Sequence, residues 1–189
     1  MLELTLSQVH HSKPYFMLRF VFSSFHPLRH HSPHICYEYF SRWCFYTTTF
    51  SRAAGILFSN FHDQTYTNFQ ILNSTPSAPY IPGQFYKREL PCILPFLNSF
   101  DPDIIIVDGF VWLGKDKRPG LGARLWEELN EKKIIIGVAK SKFQDCEYSS
   151  VPILRGQSKN PLWVSSAGVD SIVATDWIKG MGIIDCQNY

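Results

Sequence analysis

The chain has 189 residues, of which 45% are hydrophobic and 18% charged, with 11 Gly and 12 Pro. That is enough for one compact domain and short for two, and it excludes disorder along the whole length and any collagen-like repeat. The formal net charge is only +2, and from Ala53 onward thirteen basic residues face fourteen acidic ones, so that part of the chain is not globally basic.

The first fifty residues read differently from the rest. All seven histidines (His10, His11, His26, His30, His31, His34, His62) and nine of the fifteen Phe residues lie at or before position 62. No sustained helical or strand period runs through residues 1–50, and few turn signals bound an element there, so the segment is left unassigned, expected either to be irregular or to supply a strand that pairs with Arg52 to Phe58 without placing a good metal ligand. An altered reading frame upstream of a genuine domain is one explanation; translating the upstream nucleotide sequence in all three frames tests it. His30, His31 and His34 lack the nearby Cys or carboxylates that would complete a metal site, and solvated histidines are the alternative. Glu3 and Arg19 leave neither a secretory signal nor a targeting helix, so a cytoplasmic location is expected. Cys36, Cys44, Cys92, Cys146 and Cys186 are odd in number, without a CxxC pair, which fits buried thiols in a reducing compartment.

From Ser51 the elements become legible. Arg52 to Phe58 reads as a buried strand and Tyr66 to Leu72 as its hairpin partner, followed by a Ser/Pro/Gly-rich loop over Asn73 to Gly83. Phe85 to Phe100 has helical spacing interrupted by Pro91 and Pro95, which predicts a helix starting near Pro91 or kinked there. Asp103 to Gly109 holds a continuous aliphatic run of the kind buried on both faces of a sheet. Leu121 to Leu129 reads as a helix, Ile134 to Ala139 and Leu162 to Ser166 as strands, and Ser171 to Met181 as a last amphipathic helix. The runs of apolar residues fall far short of the ~20 that cross a bilayer. The order predicts an α/β mixed sheet flanked by helices, with ligands at the carboxyl ends of the strands.

Polar residues that terminate those strands are the candidates for chemistry. Asp108 ends one strand and precedes Gly109, where backbone can approach a ligand; a turn-forming aspartate is the plainer reading. Lys140 ends Ile-Ile-Ile-Gly-Val-Ala and either faces a phosphate or snorkels to solvent. Glu89 stands at the head of a helix, where an acidic residue also suits the helix dipole. Lys115, Lys117, Arg118 and Arg124 form either a phosphate-facing patch or a solvated face. A nucleotide-binding reading is unattractive, because no Gly-rich phosphate loop follows a strand.

Taken in order, Pro79-Tyr80-Ile81-Pro82-Gly83 through Arg88-Glu89, then Val107-Asp108-Gly109, then Gly137-Val138-Ala139-Lys140 resemble the endonuclease V family. The likeness covers about residues 52 to 181. Arg118 to Ala123, Leu154 to Ser158 and Pro161 to Val164 look like a short bacterial branch of it. The resemblance implies a ribonuclease H-like fold and a magnesium-dependent endonuclease, acting in nucleic-acid repair, that nicks DNA or RNA 3′ to a deaminated purine such as hypoxanthine. It implies Glu89 and Asp108 as Mg2+ ligands and Lys140 as the group that offsets phosphate charge or orients the attacking water, a division of labour that suits hard-cation hydrolysis. Tyr80, Ile81, Pro82 and Gly83 correspond to a wedge that fills the gap left by an extruded base, with Gly109 close to the nucleic acid; an ordinary Pro/Gly turn is the bland alternative. A monomer without membrane attachment is expected.

Departures from the family pattern are equally specific. Its members place a further metal-binding aspartate on the first strand, yet no aspartate precedes Asp63, and Glu38 is the nearby carboxylate. Ser165 to Asp170 stands where many relatives carry histidine; Asp170 is either a contributor or a helix cap. The expected division is residues 1–50 unassigned, and 51–189 an endonuclease V-like domain incomplete at its first strand and C-terminus. The alternative function is a catalytically defective or non-hydrolytic binder of deaminated nucleic acid.

Overall fold

The computed structural model describes residues 15–20, 51–63, 65–74, 81, 83–155 and 158–181. The described elements in chain order are β1 (Tyr15–Phe20), β2 (Ser51–Phe58), β3 (Asn68–Ser74), α1 (Tyr86–Phe100), β4 (Ile104–Asp108), β5 (Trp112–Leu113), β6 (Arg118–Pro119), α2 (Leu121–Glu128), β7 (Ile134–Ala139), β8 (Val151–Ile153), β9 (Leu162–Ala167) and α3 (Ser171–Gly180). Seven strands form one mixed sheet in the order β3-β2-β1-β4-β7-β9-β8, and β5 and β6 form a small separate hairpin. The three central strands β1, β4 and β7 run parallel, and the other pairings are antiparallel.

Alternation along β4 and β7 builds two cores from one sheet. Ile105, Val107 and Ile135 pack with Ile93, Phe96 and Leu125 of α1 and α2. Ile104, Ile106, Ile136 and Val138 pack on the other face with Ala174 and Ile178 of α3. Side chains two apart share a face, so an unbroken aliphatic run is what a strand covered on both sides requires. Each fully buried isoleucine contributes about 1.5–3 kcal/mol by leaving water.

The predicted hairpin is present, with Gly55 opposite Gln70, although its second strand runs Asn68–Ser74 instead of Tyr66 to Leu72. Within the segment left unassigned, Tyr15–Phe20 forms β1, between β2 and β4. Glu38, the histidines before His62 and the remainder of 1–50 lie outside the described residues. The first helix fills the segment with helical spacing, but it begins at Tyr86 and not near Pro91, and it runs through both prolines. Lys87, Pro91, Pro95 and Ser99, spaced four apart, are all exposed. The carbonyls that lose their bonds to proline therefore lie on the solvent side, so the helix continues. The short strands β5, β6 and β8 were not anticipated; two or three residues are too few to show a period. No described helix is long and apolar enough to cross a membrane.

Candidate active site

Asp108 is the last residue of β4 and the first in that strand to be exposed, after four buried aliphatics. Parallel pairing sets Asp108 opposite Val138, and Lys140 lies two residues further along that chain, hence on the same face. The Lys140 Nζ stands 3.8 Å from Asp108 Oδ2. Glu89 enters from the first turn of α1. Burial, and next the like charge of Asp108, push its carboxyl up to about 7, with the neighbouring Arg88 pulling the other way. The structure thus brings Glu89, Asp108 and Lys140 to one end of the sheet.

The turn that presents Asp108 is held by groups chosen for size. Gly109 has φ 143°, a left-handed conformation that disfavours any side chain. Its N–H donates to the Val138 carbonyl over 3.1 Å. Gly137 lies beneath: a Cβ there would come 2.5 Å from the Gly109 carbonyl oxygen and 2.8 Å from the Val111 nitrogen. The fully buried Ser165 of β9 completes the clamp, its Oγ accepting a 2.9 Å hydrogen bond from the Val111 N–H. Ser165 escaped the sequence reading as a positioning residue. Its signal was a serine inside an apolar strand, which must find a partner when buried.

The other sequence candidates divide. Gly83 adopts φ 77° and Ile81 is exposed, just before α1. Tyr80 and Pro82, the rest of the wedge, lie outside the described residues. Asp170 is the N-cap of α3, accepting from the Ile172 N–H at 2.7 Å, so the helix-cap reading holds. The expected basic patch splits. Arg124 lies on α2, paired with Glu127 at 3.0 Å and stacked over Tyr86, whereas Lys115 and Arg118 line a cleft at the β5–β6 hairpin.

Among the described residues no group of three His, Cys, Asp or Glu is placed to hold a metal ion. Two carboxyls remain, one of them kept partly protonated at neutral pH by burial and by the other's charge. That donor set fits a hard divalent cation, which takes one or two carboxylates and completes its shell with water and phosphate oxygens.

A mixed sheet with helices on both faces and an aspartate at the carboxyl end of its central parallel strand is the ribonuclease H-like class of α/β protein. Residues 45–175 match the family model described as Endonuclease V, and the chain belongs to that family. It is 39% identical over 64 residues to an endonuclease V of Sulfolobus acidocaldarius, covering 34% of this chain and 31% of that protein. It is 38% identical over 95 residues to an endonuclease V of Trichormus variabilis, covering 49% of this chain and 41% of that one. The chain thus spans less than half the length of either relative. The crystal structure of Ciona intestinalis endonuclease V, in complex with a 24mer DNA containing an inosine followed by a ribo-adenosine, superposes with a TM-score of 0.64 at 16% identity. The match covers 94% of this chain and 80% of that one, and confirms the ribonuclease H-like fold.

Proposed function

We propose that the chain is a divalent-metal-dependent endonuclease, with Mg2+ as the ion, that nicks DNA or RNA on the 3′ side of a deaminated purine. The observation that carries this reading is the convergence of Asp108, Lys140 and Glu89 at adjacent sheet ends, with 3.8 Å between lysine and aspartate. Family membership and the inosine-containing DNA in the Ciona complex supply the substrate class.

In this mechanism Glu89 and Asp108 would hold the cation, which would supply Lewis-acid activation of water and charge relief at the phosphate. Glu89 must release its proton to serve, so binding is favoured as pH rises through about 7. Lys140 stays close to Asp108 and supplies positive charge to the phosphate as negative charge grows on its oxygens. Gly109, lacking a side chain, admits the nucleic-acid backbone beside Asp108. Tyr80, Ile81, Pro82 and Gly83 occupy the space of the extruded base.

A second reading, a binder without hydrolysis, is favoured by the absence of a third ligand among the described residues. Cleavage of an inosine-containing oligonucleotide across a magnesium titration decides between them. The endonuclease reading expects nicking that Asp108→Asn lowers roughly a thousandfold, the worth of several kcal/mol of transition-state stabilisation. Binding of the inosine strand with no magnesium-dependent nick in the parent protein would establish the second reading instead.

A further inference from the structure

Beyond the site, the loop leaving β4 and the segment after Lys140 meet on one surface. Ser149 Oγ donates to the Trp112 carbonyl at 3.2 Å, and Gly114 packs against the backbone at Gln144, so the β5–β6 hairpin is docked on residues 140–150. Between them lies a polar cleft of about 240 Å³ lined by Gly114, Lys115, Asp116, Arg118, Gln144 and Asp145. Aromatic rings and cations alternate across this surface. Phe110, two residues past Asp108, has its ring centroid 6.3 Å from that of Phe143. The Arg118 guanidinium lies 5.9 Å from the Phe143 ring, and Lys115 Nζ 5.8 Å from the Tyr148 ring.

Two features set this surface apart from ordinary exposed polar chain. Tyr148 is 63% exposed and Phe143 is 36% exposed, yet neither ring serves the core. Residues 110–118 and 140–148 also carry five basic groups (Lys115, Lys117, Arg118, Lys140, Lys142) against three acidic ones (Asp116, Asp145, Glu147), in a part of the chain that is otherwise acidic. Glu147 is already paired with Lys142 at 3.0 Å. Exposed rings interleaved with cations match a polymer that alternates flat bases with phosphates.

We propose that this surface holds the single-stranded flank of the nucleic acid, with Phe143 and Tyr148 stacking bases and Lys115 and Arg118 contacting phosphates. The inference rests on the endonuclease reading for its direction, since Phe110 joins the surface directly to Asp108. It adds binding energy away from the lesion, so affinity for undamaged single strands is a property of its own.

The test uses the full chain in EDTA and fluorescence anisotropy with undamaged single strands of about 20 nucleotides, oligo-dT and oligo-rU, across a KCl series. Tyr148→Ala and Phe143→Ala each weaken binding about 5- to 100-fold, the range for loss of one stacked base, and Tyr148→Phe restores it. Lys115→Ala and Arg118→Ala each flatten the salt dependence by about 0.7 in log-log slope. Lys179→Ala, on the far helix α3, changes neither. Matching thermal melts exclude unfolding as the cause. Tyr148→Ala and Phe143→Ala binding as tightly as the parent overturns the proposal, as does a parent that binds neither strand. The readouts separate the two claims. An uncut inosine strand together with Tyr148-dependent binding overturns the endonuclease reading alone; a cut strand with Tyr148-independent binding overturns this surface alone.

Discussion

Strands β1 and β4 lie side by side in parallel, with Tyr15 opposite Ile104 and Met17 opposite Ile106, yet they treat charge in opposite ways. β4 reads Ile-Ile-Ile-Val-Asp and delivers a carboxylate at its end, whereas β1 reads Tyr-Phe-Met-Leu-Arg-Phe and contains no acidic residue. Among the described residues the two carboxyls come from β4 and α1, while β1 supplies one of the three parallel strands of the sheet.

The largest expected effect comes from disturbing the support under β4. Gly137→Ala places a Cβ within 2.5 Å of the Gly109 carbonyl oxygen, a backbone atom that cannot swing aside. We expect a loss of about 1–3 kcal/mol in stability, the usual cost of overpacking, and a cleavage defect beyond it because the Asp108 turn moves. Urea melts and cleavage rates below the melting range measure the two. A variant that melts and cleaves like the parent would show that the turn is not held by this contact.

The comparison itself breaks if β1 can be made to resemble β4. Arg19→Asp exchanges a positive charge for a carboxylate on the strand that pairs beside β4. The expected outcome is a half-saturating magnesium concentration for cleavage lower by about tenfold, equivalent to roughly 1.4 kcal/mol of added cation affinity. An unchanged or higher magnesium requirement would remove β1 from any account of the site.

How far the site could be read before the fold was known follows from the same contrast. Asp108 and Lys140 were legible because each ends a run of aliphatics, and a polar residue closing a doubly buried strand is conspicuous. Glu89 was legible only through its place between ordered motifs. A strand from the first fifty residues pairing with Arg52 to Phe58 is one of the two expectations for that segment, and β1 meets it; its bounds were not legible, since six bulky residues without alternation or flanking turns carry no period. The helical spacing over Phe85 to Phe100 is legible, and only the start near Pro91 is overturned: proline is a helix breaker by local rule, while here Pro91 and Pro95 share the solvent face and the buried Ile93, Phe96 and Leu97 hold the helix. Ser165 and Gly137 act on a loop from neighbouring strands, a relation that spacing along one chain does not express.

The smallest effect tests whether Glu89 and Asp108 share one electrostatic environment, as a site confined to α1 and β4 requires. Glu89 has a folded-state value of about 7 against an ordinary carboxyl value of 4.5. Between those limits the folded chain holds a proton that the unfolded chain has released, so stability falls as pH rises from about 4.5 through about 7. Below that window the carboxyl is protonated in both states and above it ionised in both, and this group's contribution levels off. Burial is the larger cause of the displacement and Asp108 the second. Asp108→Asn should therefore leave most of the slope and remove a minor part of it, less than about 1.4 kcal/mol across the window. All other groups are common to both proteins and cancel in the difference. Urea midpoints from pH 4.5 to 7.5 in EDTA give the measurement, and parallel curves for the parent and Asp108→Asn would mean that the two carboxyls do not sense each other.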